Sequence, residues 1–466
     1  MCVSLIVKRR FLTTMTRYLG FVSCFLLICI LGTVYADEKL SGYAVSQPDI
    51  IEKTAAIGKP AVVFVLTVLS GTVSYPEQIE YQRQDPVTGK LEYYIEPAGS
   101  GRIVTLPLEN IIRGTGFVVN SDGYIVTNAH VVKFEDERDE LVLAYLISLG
   151  ELLEESFENQ GLSTSEIDER LPVTLIAIED FLNKYGEFKD IKKNVYIYNG
   201  LITPDLDFTN GLPAEIIDVG GAYPAKDVAI LKVNKNNLPV LKLGDSEKAN
   251  VGSKTFVIGY PGAADISFSS ILEPSVTSGI VSALKKAEAG WDLIQTDAII
   301  SPGSSGSPIF NEQGEVIGVA TLSSQLASGY GWVIPSNIIK EFLRGKNIVN
   351  TEGTMNRYYK EALELYWEKE YTKAIEKFRL VIDLYPEHPY AKEFITGSRA
   401  AIERGEEKIS LFNTRNLIIA GGVLAILLII VLYITVFKEK KEISKLKKEE
   451  EELKQRSYYQ YQRPRQ

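Results

Sequence analysis

The chain reads GTGFVVNSDGYIVTNAHVV over residues 114–132. Two short apolar runs, 116–120 and 124–127, flank the triplet Ser-Asp-Gly, a composition typical of a β-hairpin turn. His130 follows the second predicted strand and is one of only two histidines in 466 residues. It is therefore a candidate functional residue, with a buried structural histidine as the alternative. The other histidine, His388, lies between two prolines and is predicted to be a solvated turn residue.

A second informative segment reads GSSGSP over residues 303–308, between the runs 293–298 and 314–320, which have strand character. Gly303 would let the backbone turn so that the N–H groups of Gly303 and Ser305 converge on one point. Such a pair of donors stabilises the oxyanion that forms when a serine hydroxyl attacks a carbonyl group. GSSG alone would equally support a plain glycine-serine turn.

An aspartate completes the set of residue types that nucleophilic serine chemistry needs. Asp227 precedes the apolar strand-like run 228–233, and a buried carboxylate there needs a partner. An imidazole N–H is one suitable partner, and the N–H groups of a backbone turn are another. Asp218 is a competing candidate that ranks below Asp227. In chain order, His130, Asp227 and Ser305 supply a general base, the acid that orients it and a nucleophile.

Together these segments resemble the trypsin-like domain of HtrA/Deg proteases, over residues 55–345. The resemblance implies two six-stranded antiparallel β-barrels with a catalytic cleft between them, and ATP-independent endoproteolysis through an acyl-enzyme. It implies that His130 is the general base, that Asp227 orients it and that Ser305 is the nucleophile. Gly303 and Ser305 would donate to the oxyanion. The resemblance rests on six segments: residues 114–132, 227–233, 243–246, 257–262, 294–308 and 329–335.

The chain departs from the family pattern around the serine. The family loop usually reads GNSGGP, and Ser304 and Ser307 replace the asparagine and the second glycine here. Ser307 brings a Cβ atom to a position where the backbone would favour positive φ. HtrA/Deg proteins also commonly carry a PDZ domain after the protease domain, and none is recognised in this sequence.

The resemblance also yields an expectation about specificity. In the trypsin-like fold, the residue six positions before the serine lies at the base of the primary specificity pocket. That residue is Ile299, with Ile300 beside it. An apolar base favours aliphatic or small side chains at the cleavage site, because a buried charge without a partner is unfavourable.

Two segments are longer than a barrel connection requires. Residues 134–210 are rich in Glu and Asp and have helical periodicity, so we expect an inserted, partly helical surface subdomain. It would cap the cleft, gate access to it or merely decorate the barrel. The tyrosine-rich stretch 77–96 predicts a long hairpin that extends from the first barrel.

Both ends of the chain indicate export and anchoring. Residues 1–36 have a basic start, an apolar run and a small-residue cleavage site after Ala36, as a secretory signal does, and an uncleaved anchor is the alternative. All three cysteines lie within this segment. Residues 417–437 are uniformly apolar and long enough to span a bilayer. Six lysines follow within residues 438–448, which predicts a cytoplasmic tail, 438–466, and a protease domain outside the cytoplasm.

A segment at 354–405 resembles one tetratricopeptide repeat followed by a third helix, with helices expected at 356–369, 371–383 and 391–404. One repeat cannot cover its own apolar faces, so it must pack on the third helix, on the barrel or on another chain. The segment would serve as a module for protein docking or self-association, with a helical stalk as the alternative. Residues 37–54 are predicted to be a linker.

The composition excludes several classes of function. The net charge of −10 argues against nucleic-acid binding, and neither a metal-ligand cluster nor a phosphate-binding loop is recognisable. No cofactor is expected. The expected partners are protein or peptide substrates, unfolded or close to the membrane. A catalytically silent pseudo-protease scaffold or a chaperone-like binding protein is the alternative function.

Overall fold

A computed structural model of the chain describes residues 48–84, 86–87, 91–200, 211–262, 273–323, 330–408 and 414–461. The chain divides into a compact body, Pro48–Glu407, and a second unit that contains the C-terminal helix. The predicted signal, 1–36, lies outside the described residues.

Two closed antiparallel barrels form the centre of the body. The first closes in the order β1-β4-β5-β8-β7-β6, while β2 and β3 pair separately; the second closes in the order β10-β11-β14-β13-β12-β9. The fold class predicted from the sequence, a pair of six-stranded antiparallel barrels, is therefore confirmed. The first eight strands are β1 (Val62–Pro76), β2 (Gln78–Gln84), β3 (Leu91–Pro97), β4 (Ile103–Asn120), β5 (Tyr124–Thr127), β6 (Glu187–Asn199), β7 (Leu212–Val219) and β8 (Ala229–Val233). The remaining strands are β9 (Lys254–Gly259), β10 (Ser275–Lys286), β11 (Asp292–Thr296), β12 (Pro308–Phe310), β13 (Val316–Ser323) and β14 (Gly331–Pro335).

Strand β1 shows how the barrels are held together. Its side chains alternate between two apolar clusters, because successive residues of a strand point to opposite faces. Phe64 and Leu66 belong to a cluster that also contains Phe256 and Phe310 of the second barrel. Val63 and Val65 belong to a cluster shared with helices near the C-terminal end of the body. The strand is therefore buried on both faces over its first half.

The α-helices that the structure describes in the body lie outside the barrels. They are α1 (Ile50–Gly58), α2 (Ala129–Val132), α3 (Glu137–Asn159), α4 (Thr164–Tyr185), α5 (Ser336–Gly345), α6 (Thr354–Trp367), α7 (Tyr371–Leu384) and α8 (Ala391–Glu403). The second unit contains α9 (Thr414–Tyr461). The predicted hairpin at 77–96 is confirmed by the pairing of β2 with β3.

The expected insertion, 134–210, is too long at its C-terminal end. Helices α3 and α4 form a helical pair at 137–185, but β6 is a strand of the first barrel, paired with β1 and β7. The helical pair carries twelve acidic and three basic residues and packs through Phe181 and Leu182 on Leu69 and Val73 of β1. The charged insertion is thus a helical pair seated on the outer part of the first barrel.

The three helices predicted after the protease domain are present as α6, α7 and α8. They pack on the first barrel, because Met355, Tyr359 and Phe378 share an apolar cluster with Val63 and Val65. Their apolar faces are thus largely covered within the chain, without a second copy. The likeness to a tetratricopeptide repeat stays a prediction.

His388 is not the solvated residue that was expected. It is 3% exposed, its Nδ1 accepts hydrogen bonds from the N–H groups of Tyr390 (3.3 Å) and Ala391 (3.1 Å), and its ring lies 4.4 Å from that of Tyr359. The imidazole therefore caps the start of α8 from inside the helical module. Burial lowers the pKa of His388 to about 3.

The C-terminal helix α9 contains the predicted span 417–437. It is the one helix of the described residues that is long and apolar enough to cross a membrane, judged by length and composition alone. Its charged second half covers most of the predicted tail.

We predict that His388 makes stability fall in mild acid. The pKa of His388 in the folded state lies below the value near 6.5 in the unfolded state, so its contribution is full above pH 6.5 and is lost as pH falls towards 3. His388→Asn keeps an acceptor for the α8 N–H groups but cannot titrate. Thermal unfolding of both proteins from pH 7.5 to 4.5 should show the wild-type melting temperature falling more steeply. Parallel curves would contradict this prediction.

Candidate active site

The short helix α2 brings His130 to Asp227, which lies 97 positions later in the chain. The backbone N–H of His130 donates to Asp227 Oδ1 at 2.9 Å, and the ring Nδ1 lies 2.7 Å from Oδ2. Asn128 donates from Nδ2 to the carbonyl of Asp227 at 2.8 Å, which fixes the backbone on the other side of the pair. With Nδ1 donating to an ionised carboxylate, Nε2 is left as the acceptor.

Asp227 is 1% exposed and accepts a third hydrogen bond, from Thr321 Oγ1 to Oδ2 at 2.6 Å. Burial alone would raise the pKa of Asp227, but the bonds from His130 and Thr321 outweigh it and leave the pKa below its ordinary value. The carboxylate is therefore ionised at neutral pH. Sequence reasoning missed Thr321, since a threonine within an apolar strand is common and gives no distinguishing signal.

The competing carboxylate, Asp218, is not part of this arrangement. Its Oδ1 lies 3.6 Å from Lys346 Nζ and accepts the N–H of Val219. The ranking of Asp227 above Asp218 therefore agrees with the geometry.

The serine loop depends on two glycines with positive φ. Gly303 has a φ of 89° and Gly306 a φ of 91°, in the region that glycine tolerates best. Space is equally restricted, because a Cβ atom at Gly303 would lie 2.6 Å from the carbonyl oxygen of Tyr260, and one at Gly306 would lie 1.8 Å from that of Thr115. No other residue type fits these two positions without a backbone shift.

The direction of the Gly303 N–H is set by the carbonyl of the same peptide group. The carbonyl of Pro302 accepts the N–H of Gly262 at 2.8 Å. Since C=O and N–H point in opposite directions in a trans peptide, this bond holds the Gly303 N–H on the far side of the group. Within the described residues, the Gly303 N–H has no protein acceptor.

The Ser305 N–H is held in the same way. The carbonyl of Ser304 accepts the N–H of Ser307 at 2.9 Å, so the Ser305 N–H points away from that bond. It too lacks an acceptor among the described residues. Gly303 and Ser305 therefore present two unsatisfied donors, as the expected oxyanion hole requires.

The Ser305 hydroxyl itself is not bonded to the imidazole. Oγ donates to the carbonyl of Thr321 at 3.4 Å, and no hydrogen bond joins it to His130 in the described part of the chain. A bond of this length is weak, and rotation about χ1 would release the hydroxyl. The structure thus brings His130 and Asp227 into direct contact, while the Ser305 hydroxyl is bonded to the carbonyl of Thr321 and not to the imidazole.

The expectation that Ser307 would sit at positive φ is wrong. In the described residues, positive φ outside glycine occurs only at Asp190, Asn237, Asn347 and Lys369. The Ser307 side chain is buried, and a Cβ atom at Gly259 would lie 1.9 Å from its Oγ. The glycine on β9 therefore makes the room that the extra hydroxyl needs.

Ile299 is the residue predicted at the base of the specificity pocket, and that role stays a prediction. It is 71% exposed, whereas its neighbours Ala298 and Ile300 are 2% and 9% exposed and belong to the core of the second barrel. Ala298 and Ile300 therefore point inward, whereas Ile299 points outward next to the bend that follows β11. Ile300 packs at Gly331, where a Cβ atom would lie 2.4 Å from the Cδ1 atom of Ile300.

Among the described residues, no three His, Cys, Asp or Glu side chains are placed to hold a metal ion.

Comparisons with known proteins agree with this geometry. Residues 114–319 match the family described as trypsin-like peptidase domain, and this range contains all three candidate residues of the site. A protein of Halomonas elongata named "Probable periplasmic serine endoprotease DegP-like" is 28% identical over 300 residues, which is 62% of this chain and 47% of that protein. A protein of Pseudomonas putida strain GB-1 with the same name is 32% identical over 250 residues, 52% of this chain and 36% of that protein.

The chain thus spans about half, or less, of the length of these relatives. Among solved structures, the serine endoprotease from Yersinia pestis is 19% identical and aligns over 64% of this chain and 67% of its own, with a TM-score of 0.34 that adds no support. Residues 114–319, within the two closed barrels, thus match a trypsin-like peptidase domain, and this part of the chain is similar to serine endoproteases of the HtrA/DegP type.

Proposed function

We propose that the chain is a membrane-anchored serine endopeptidase whose catalytic domain lies outside the cytoplasm. The observation that carries the proposal is the combination of a buried, ionised Asp227 bonded to His130 with two unsatisfied N–H groups at Gly303 and Ser305. A binding scaffold has no need of this combination, since the donors serve only an oxygen atom that gains negative charge.

The reaction follows from these positions. His130 Nε2 accepts the proton of Ser305 Oγ while Oγ attacks the carbonyl carbon of the peptide bond. The carbonyl oxygen becomes an oxyanion, stabilised by the N–H groups of Gly303 and Ser305, and one such donor is typically worth about 3 to 4 kcal/mol. His130 then gives its proton to the leaving amine. Water hydrolyses the acyl-enzyme by the same steps in reverse, and Asp227 stays ionised throughout.

Membrane attachment is proposed from the composition of α9 and its flanks. The apolar half of α9 is long enough to cross a bilayer, and lysines crowd the residues that follow it. A positive flank favours the cytoplasmic side. The proposed substrates are polypeptides, unfolded or close to the membrane, because an anchored protease reaches only what lies near its membrane. The relatives' description as periplasmic supports an extracytoplasmic position.

Ser305 should react with a fluorophosphonate, which labels only activated serines. We expect one adduct by intact mass on the full chain in detergent, and none on Ser305→Ala or His130→Ala. Ser148→Ala, an exposed serine of α3, is the matched control and should label like the wild type. Absence of labelling in the wild type, with or without added unfolded protein, would favour the scaffold or the chaperone-like protein.

The hydrogen bond from Thr321 to Asp227 should affect the rate at which Ser305 reacts with the fluorophosphonate. Thr321→Val removes one of three hydrogen bonds to a buried carboxylate, so the second-order labelling rate should fall about tenfold, equivalent to about 1.4 kcal/mol. Thr321→Ser keeps the hydroxyl and should stay close to the wild-type rate. Equal rates for the valine variant and the wild type would show that Asp227 does not depend on this bond.

Topology is testable with single cysteines, because residues 37–466 contain none. In a background without Cys2, Cys24 and Cys29, Ser148→Cys on the body should react with an impermeant maleimide in intact cells. Ser457→Cys on α9 should react only after lysis. Reaction of Ser457→Cys in intact cells would overturn the proposed orientation.

A further inference from the structure

Thr115 has no role in the mechanism above, yet all of its polar groups are engaged around the serine loop. It lies on β4, is 0% exposed, and its N–H donates to the carbonyl of Ser305 at 2.8 Å. Its Oγ1 donates to the carbonyl of Gly303 at 2.8 Å and accepts the N–H of Tyr260 at 3.0 Å. Its own carbonyl accepts Thr127 Oγ1 at 2.7 Å.

These bonds cross from one barrel to the other. Thr115 and Thr127 belong to the first barrel, whereas Tyr260 follows β9, and Gly303 and Ser305 lie in the loop before β12 of the second barrel. A single side chain therefore ties the first barrel to the loop that carries the nucleophile and both oxyanion donors.

The hydroxyl of Thr115 is also bonded both to the serine loop and to the segment behind it, residues 260–262, called here the Tyr260 wall. Tyr260 and Gly262 form a close wall behind Gly303, with the Tyr260 carbonyl oxygen and the Gly262 nitrogen 2.6 and 2.9 Å from the position of a Cβ atom. The Gly262 N–H anchors the Pro302 carbonyl and thereby sets the direction of the Gly303 N–H. Thr115 Oγ1 holds this wall through Tyr260 and the loop through Gly303 at the same time.

We propose that Thr115 is the positioning residue of the oxyanion hole. Its hydroxyl keeps the Gly303 N–H aimed at the oxyanion by holding Gly303 against the Tyr260 wall, and it does not touch the substrate. This inference rests on the proposed function, because it concerns the same reaction.

A threonine that only stabilised the fold would affect unfolding and not kcat, so the two roles can be told apart by substitution. Thr115→Val has nearly the same shape but leaves the part-buried Gly303 carbonyl and the buried Tyr260 N–H without their partner, so the loop and the residues behind Gly303 must move to satisfy them. A displaced donor weakens the bond to the oxyanion, which exists only after attack. The loss should therefore fall on kcat and leave KM nearly unchanged.

The experiment uses the full chain in detergent and compares the wild type with Thr115→Val, Thr115→Ser and Thr255→Val. Thr255 is the matched control, a buried threonine of β9 whose hydroxyl is bonded to Thr296 Oγ1 and not to the serine loop. The readouts are kcat and KM on a fluorogenic peptide, the inhibition constant of a peptide boronic acid, whose tetrahedral adduct mimics the oxyanion, and the melting temperature.

We expect Thr115→Val to lower kcat by about 10- to 100-fold, less than or at the lower end of the roughly 100- to 1,000-fold loss found when one oxyanion donor is removed, with KM changed less than about threefold. Boronate affinity should fall by a similar factor. Thr115→Ser should stay within about threefold of wild type, and Thr255→Val should lower the melting temperature without lowering kcat. If Thr115→Val shows no cooperative unfolding, Thr115→Ala, which also removes the hydroxyl, replaces it with the same expectations.

The inference is overturned if Thr115→Val keeps the wild-type kcat and boronate affinity, if Thr115→Ser loses as much as Thr115→Val, or if the loss appears in KM alone. An active wild type with any of these results would leave the proposed function standing. A wild type that neither cleaves nor labels at Ser305 would overturn the proposed function and this inference with it.

Discussion

The need to keep one buried carboxylate charged organises the centre of this protein. Asp227 is almost completely buried, and an unpaired charge there would be strongly destabilising. Its hydrogen bonds come from both barrels, because His130 follows β5 of the first and Thr321 lies on β13 of the second. Any sliding of one barrel against the other would break at least one of these bonds. The Asp227 carboxylate therefore fixes the position of the two barrels relative to each other, and the same hydrogen bonds orient the His130 imidazole.

Much of this arrangement follows from local sequence. The hairpin before His130, the apolar strand after Asp227 and the glycines around Ser305 are short-range patterns, since turn chemistry and alternation act over a few residues. Strand β6 was missed because its exposed side is rich in charge and its buried side is recognisable only once β1 is known to lie beside it. The burial of His388 was unpredictable for a similar reason, because the two prolines on either side of it indicate a turn but not the aromatic ring that packs against the imidazole.

The errors at the site have the same origin. Thr321 and Thr115 act through partners far away in the chain, Asp227 and Gly303, so no spacing rule identifies them. Counting back from the serine identifies Ile299 as a position along the chain but does not predict how exposed its side chain is. Chemistry that depends on residue type was predictable here, and chemistry that depends on tertiary register was not.

The position of the Ser305 hydroxyl fits a site in which the charged and dipolar groups are held in place and the hydroxyl is not. Its hydroxyl makes only a long bond to the Thr321 carbonyl, and a rotamer change of a small side chain occurs in picoseconds to nanoseconds, far faster than turnover of a typical enzyme. Reorienting a peptide group is slower and would break the bonds that hold Pro302 and Ser304. The elements that must not move in the proposed mechanism, the carboxylate and the two donor peptides, are thus the ones that the fold anchors from several sides. Rotation of the Ser305 hydroxyl therefore adds little to the activation free energy of the proposed reaction, because the groups that stabilise charge are already in place before the hydroxyl rotates.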